Sequence, residues 1–149
     1  MNEFKPFEDK LAGLIAALSP ASRHRMTVEI AKKLRQRQQQ RIKSQKSPDG
    51  TPYAPRKRQP IKAKKGRIKR EMFAKLRTNR FLKASGDTNE AVVEFTRRVQ
   101  RIARVHHYGL RDRPSPRSKE VQYTERPLLG IDKNNLETIE SMIIKFLRQ

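Results

Sequence analysis

The sequence predicts an α+β fold, with N-terminal helices and a C-terminal helix packed on a small antiparallel sheet and long basic loops between them. Three observations lead there. Apolar residues recur at helical spacing near both ends of the chain. Between them, Ala91, Val93 and Phe95 alternate with other residues after a Gly86-Asp87-Thr88-Asn89 turn, the pattern of a hairpin. Finally, 36 Lys and Arg stand against 15 Asp and Glu, a net charge of +21, while Leu, Ile, Val and Phe make up only 33 of 149 residues. That apolar share is just above the roughly 20% below which a highly charged chain is disordered, so the core is modest. The length suits one domain over residues 1–149, with a basic flexible loop at about 46–70.

Phe7, Leu11, Leu14, Ile15 and Leu18 form one face of a first helix with acidic residues near its start. Ser19-Pro20 is an N-cap followed by proline at the first helical position, which opens a second helix. Its stripe is thin, Met26, Ile30 and Leu34, and the polar run RQRQQQRIKSQK that follows is expected to project into solvent or against another subunit. Pro48 should stop this helix near Ser47, with Asp49-Gly50 as a turn. Ile68, Met72, Phe73 and Leu76 suggest a short third helix, followed by the hairpin of residues 81–85 and 91–96. Val99, Ile102, Ala103 and His106 then have helical spacing and end at Gly109, a terminating glycine. Residues 110–120 read as another loop rich in Pro and Arg. The terminal stripe, Leu136, Ile139, Met142, Ile143, Phe146 and Leu147, follows Asn134 and Glu137 as a capping pair. Leu136, Ile139, Ile143 and Phe146 are expected to cover the Ala91, Val93, Phe95 face of the hairpin.

Residues 23–80 hold 21 of the 36 basic residues and only three acids. Within them, residues 56–70 contain nine cations and no acid: Arg56, Lys57, Arg58, Lys62, Lys64, Lys65, Arg67, Lys69 and Arg70. Such a run repels itself and buries too little to offset its ordering entropy, so it reads as an exposed arm able to contact a partner or a polyanion. Each phosphate neutralised would release counterions and give salt-sensitive, sequence-blind affinity for nucleic acid. Tyr53, Tyr108 and Tyr123 are too scattered for a stacking platform, and there is no Trp.

No catalytic, cofactor-binding or metal site is expected. With no Cys there is neither a thiolate nucleophile nor a Cys-ligated metal. His24, His106 and His107 are the only imidazoles, and the adjacent pair is surrounded by Arg101, Arg104 and Arg111, whose charge opposes a cation. No glycine-rich phosphate loop, HExxH or GxSxG string occurs. No apolar run approaches the ~18 residues of a membrane span, and the acidic start does not resemble a secretory signal, so a soluble, unexported chain with no membrane partner is expected.

Three short strings carry a further reading. Residues 47–56, SPDGTPYAPR, combine a Pro-Asp-Gly turn with an aromatic between prolines, suited to docking an extended segment. Residues 103–109 are ARVHHYG, and residues 125–131, ERPLLGI, precede the last helix. In this order the strings resemble the phage virion morphogenesis family over roughly residues 5–148. The family positions they match are Pro48, Asp49, Gly50, Tyr53, Pro55, His106, Gly109, Arg126, Pro127 and Gly130. Tyr53 stands where the family pattern has Trp, and Leu128 where Phe is usual; both keep apolar bulk.

The resemblance implies a non-enzymatic structural protein for tail completion and stable joining of tail to head. It further implies a homo-oligomeric ring, six-fold by analogy with tail tubes, in contact with tail-tube and neck or head completion proteins; the basic charge, not the resemblance, adds phage DNA as a candidate contact. Its location would be the virion tail or neck, and the host cytoplasm during assembly. A closed ring needs heterologous contacts whose rotation divides a full turn. Those contacts are expected on the polar half of the second helix and on the two loops. The other class consistent with the charge is a small basic protein that binds nucleic acid without sequence preference.

Overall fold

The computed structural model describes residues 5–56 and 71–149, with side chains from residue 8 onward. Four helices and two antiparallel ladders of two strands each make up the described residues, an α+β arrangement. The expected arm of residues 57–70 lies outside them, as does Ile68.

Helix α1 (Lys5–Ala16) leads into α2 (Pro20–Lys43), where the Ser19 hydroxyl accepts from the Ser22 N–H at 3.2 Å and Pro20 opens the first turn. Gln45 adopts φ 58°, and its N–H donates to the Ile42 carbonyl at 2.8 Å. The helix therefore closes before Pro48 could end it. Strands β1 (Leu82–Gly86) and β2 (Ala91–Phe95) pair from Leu82↔Phe95 to Gly86↔Ala91. The Asp87 carboxylate holds their turn by accepting from the N–H groups of Asn89 and Glu90 at 2.7 and 2.8 Å. Helix α3 (Gln100–Tyr108) ends at Gly109, and β3 (Arg111–Asp112) and β4 (Val121–Gln122) then turn the expected loop into a short ladder. Helix α4 (Lys133–Leu147) closes the chain.

Two apolar clusters share α2 as their common wall. Met26, Ile30 and Phe146 form one, joined by Ile15, Leu18, Leu34, Ala91, Ile139, Met142 and Ile143. Ile42, Leu76, Leu82, Phe95, Ala103 and Leu128 form the other, with Phe73, Phe81, Val93, Val99 and Leu129 against it. Helix α4 therefore covers α1 and the first half of α2, and it reaches the hairpin through Ala91 rather than through Val93 and Phe95. The hairpin instead lies along α2, which takes the place expected for α4.

Several local expectations change with this packing. The second half of α2 does not project: Gln38 is 4% exposed and Ile42 fully buried. Residues 72–81 form turns rather than a third helix, because Phe73 takes φ 68°, outside the helical region. Ile102 faces solvent while Val105 is buried, so the inward face of α3 is turned from the expected stripe. Leu136 is exposed as well. The cap of α4 is Asp132 with Asn135, not Asn134 with Glu137: the Asp132 carboxylate accepts from Asn135 N–H at 2.7 Å, and the Asn135 side chain accepts from Asp132 N–H at 3.1 Å.

Candidate functional site

The three strings, far apart in sequence, meet on the C-terminal half of α2. The turn comes first. Its Asp49 carboxyl is held down to about 2 by the Ser47 hydroxyl and then by the Thr51 N–H, which donates at 2.9 Å. Gly50 takes φ 87° there, and the Lys46–Pro52 bridge closes the loop. This geometry delivers Tyr53 inward, 9% exposed, with its hydroxyl donating to the Pro127 carbonyl at 2.7 Å. Burial pushes the phenol above its ordinary pKa, while the nearby Arg41 charge opposes that shift.

Arg126 makes the reciprocal contact. Its guanidinium donates from Nε to the Ala54 carbonyl at 3.0 Å and from a terminal nitrogen to the Pro55 carbonyl at 3.1 Å. An extended, proline-rich strand has no ladder partner for those carbonyls, so a long side chain with several donors supplies one. Arg126 is 6% exposed, and burial lowers its pKa. Its own N–H donates to the His106 carbonyl at 2.8 Å, tying the third string to the second.

The histidines act as packing and acceptor groups. The His106 ring stands edge-on between Phe73 and Tyr123, with centroids 5.1 and 5.0 Å away, and Tyr53 continues the row beyond Phe73 at 5.6 Å. Edge-to-face contacts contribute about 0.5–1.5 kcal/mol each, enough to offset the roughly 1–3 kcal/mol of an unfavourable φ at Phe73. His106 Nδ1 is enclosed without a partner, and its pKa is lowered by burial and then by the Arg126 charge. His107 Nδ1 accepts from the Leu128 N–H at 3.0 Å, which requires that nitrogen to be unprotonated. Desolvation dominates the lowered pKa of His107; Glu125 opposes it and Arg41 adds to it.

Two glycines permit this convergence. Gly109 sits at φ 64°, ψ 51°, and a Cβ there would lie 2.8 Å from the Glu125 nitrogen. A Cβ on Gly130 would meet the Pro48 ring at 2.6 Å. The first and third strings thus touch at both ends, Pro48 on Gly130 and Tyr53 on Pro127.

Below them, α2 supplies polar anchors that sequence reasoning missed. Arg41 donates to the Leu128 carbonyl at 2.6 Å and the Lys46 carbonyl at 3.1 Å, and it also donates to Gln38 Oε1. Gln38 Oε1 accepts from Gly130 N–H at 3.2 Å, and its Nε2 faces Asn135 Oδ1 at 3.4 Å. The Gln45 side chain donates to the Ile42 and Met72 carbonyls and accepts from the Met72 N–H at 2.8 Å. Residues 38 and 42 continue the spacing of 26, 30 and 34, which is the signal that would have found Gln38 and Ile42; Gln45 lies beyond the helix and has no such signal.

Ten of the singled-out residues therefore lie in one node: Pro48, Asp49, Gly50, Tyr53, Pro55, His106, Gly109, Arg126, Pro127 and Gly130. Arg56 is exposed at the edge of the described segment. Lys57, Arg58, Lys62, Lys64, Lys65, Arg67, Lys69 and Arg70 lie outside the described residues. Beside the node a concavity of about 670 Å³ opens, lined in part by Met72, Phe73, Leu76, Ile102 and Tyr123. Among the described residues no group of three or more His, Asp or Glu could hold a metal ion. No described helix is long and apolar enough to cross a membrane.

The node is a fastening of extended segments on a helix. The sequence pattern of the phage virion morphogenesis family matches residues 2–148, and the chain belongs to that family. It is similar to tail completion protein S of Escherichia phage P2, with 48% identity over 150 residues covering 100% of both chains. No solved structure matches it.

Proposed function

We propose that this chain is a non-enzymatic structural subunit that completes the phage tail and joins it stably to the DNA-filled head. The observation that carries the reading is the full-length identity with a protein named for tail completion. The node supports it, since its hydrogen bonds mostly fasten backbone and its rings pack on one another. In this reading the chain works as one domain in the virion neck after assembly in the host cytoplasm. It forms a closed ring, six-fold like the tail tube, touching tail-tube and neck or head completion proteins, and the basic run of residues 56–70 serves for contact with a partner or with phage DNA.

The buried stripe of α2 is used within the subunit, so the ring contacts fall on its outer residues, such as Gln36, Arg37, Gln40 and Lys43, and on the basic loops. At +21 per subunit, neighbours repel at low salt. Salt screens that repulsion within about 8 Å at physiological ionic strength, so self-association strengthens as salt rises while DNA binding weakens. Sedimentation and filter binding over one salt series should show the opposite slopes. A strictly monomeric chain that binds DNA tightly at all salts would favour the nucleic-acid-binding class instead. Phage lacking the chain should accumulate filled heads and separate tails by electron microscopy, and mass spectrometry should find the chain in purified virions. Normal particle yield without it would overturn the joining role.

A further inference from the structure

Away from the node, the turn after residue 73 and the start of α3 enclose a second concavity of about 560 Å³, lined by Lys75, Thr78, Arg80, Phe81, Arg98 and Val99. Its three cations are exposed, and no carboxylate is among its lining residues. The ion pairs of the described residues are Arg77–Glu71, Arg101–Asp112 and Arg111–Glu120, so none involves Lys75, Arg80 or Arg98. The Arg80 guanidinium lies over the Phe81 ring at 5.1 Å, which restrains it without using its donors. The Thr78 hydroxyl donates to the Lys75 carbonyl at 2.6 Å and tightens the turn beneath.

We propose that this concavity is a phosphate-binding site for the backbone of DNA, made of residues other than those of the 56–70 run. Three cations with no ion pair among the described residues surround one hollow and create a positive potential there, and an incoming phosphate oxygen would meet several N–H donors together. The charge does not stop at the hollow. Arg101 and Arg104 follow on the exposed side of α3, with Arg97 exposed in the turn before it, and of these only Arg101 has an ion-pair partner. A row of like charge matches the regularly spaced phosphates of a uniform polyanion. The setting in the particle rests on the joining role proposed above, whereas binding by the isolated chain does not, so a failed particle assay and a failed DNA titration are distinct results.

The test is fluorescence anisotropy of the full chain with a labelled 20-base-pair duplex over a salt series. The triple variant K75Q/R80Q/R98Q is compared with R25Q/K32Q/K43Q, which removes the same charge from the exposed side of α2. All six positions are exposed, and circular dichroism should show both variants folded. Each lost phosphate contact lowers the slope of log affinity against log salt by about 0.9. The site variant should therefore lose about 2 to 3 units of slope, and the α2 variant less than about 1. Equal losses in the two would overturn the proposal, because charge alone would then account for binding. So would an unchanged slope in the site variant, or a loss seen with polyglutamate but not with DNA. Saturable binding of inorganic phosphate at the site, with DNA affinity unaffected by the substitutions, would also overturn it.

Discussion

The two halves of α2 lie on one stripe of one helix but meet their surroundings through different forces. In the first half, Met26 and Ile30 face Phe146, Ile139 and Ile143, and contact is made by side chains that need only be apolar and of suitable size. In the second half, Ile42 is enclosed by an apolar cluster, but beside it Gln38 and Arg41, with Gln45 just past the helix end, hold two loop segments, at Leu128–Gly130 and at Met72, by their backbone groups. Packing joins elements that already have internal hydrogen bonds. Extended, proline-rich segments have none of their own, and a helix that anchors them must present polar atoms at fixed places. The polar run is therefore the part of α2 that makes the node possible.

The largest effect should come from Ile42→Ala. Its side chain is fully buried where both halves of the contrast meet, and truncation there should cost about 4 kcal/mol, within the range for buried Ile in a well-packed core. Ile30→Ala, at the first cluster, should cost about 3 kcal/mol. Chemical denaturation with matched slopes would measure both. If Ile42→Ala changed stability by less than about 1 kcal/mol, the second half of α2 would not be core, and the contrast would fail at its base.

The sharper comparison exchanges chemistry at constant size. Gln38→Met keeps the volume but leaves the Gly130 N–H and one Arg41 donor without their acceptor, which should cost about 2 kcal/mol. Met26→Leu, a swap of similar size in the first half, should cost under about 1 kcal/mol. Hydrogen exchange adds a local readout, since the Gly130 amide should lose protection in Gln38→Met and keep it in Met26→Leu. Equal costs for the two would show that polar anchoring contributes nothing beyond packing.

The same contrast explains what could be read from the sequence. The Ser19 cap, the presence of the hairpin around Asp87 and most of the stripe of α4 were legible because each is a local rule written in neighbouring residues. The meeting of the three strings was legible only through their resemblance to a family, since no local rule links Tyr53 to Pro127 or Arg126 to Ala54. Gln38 and Ile42 were misread because an apolar-only pattern ends at Leu34, although the geometric period runs on. Phe73 misled for the opposite reason: its apolar spacing suggested a helix, but the aromatic row of Tyr53, His106 and Tyr123 outweighs its backbone preference. Exposure of Leu136 and Ile102 likewise depended on where partners fell, which spacing alone does not give.

The smallest effect is the most specific to the second half. His107 accepts from Leu128 N–H only when neutral, and its pKa lies below the ordinary 6.5, as does that of His106. The unfolded chain therefore binds more protons than the folded one as pH falls through 6.5, and stability must fall with it. The contribution is fully present above pH 6.5, and its loss is complete once pH drops below the lowered folded values. Between pH 6.5 and about 5, carboxylates with ordinary pKa values remain largely ionised, so the histidines dominate this slope. His107→Phe should reduce the slope and leave only the share of His106. Thermal melts at constant ionic strength would measure both chains. A slope unchanged in His107→Phe would mean that the Leu128 amide does not depend on the imidazole, and the second half would then be held by Gln38, Arg41 and Gln45 alone.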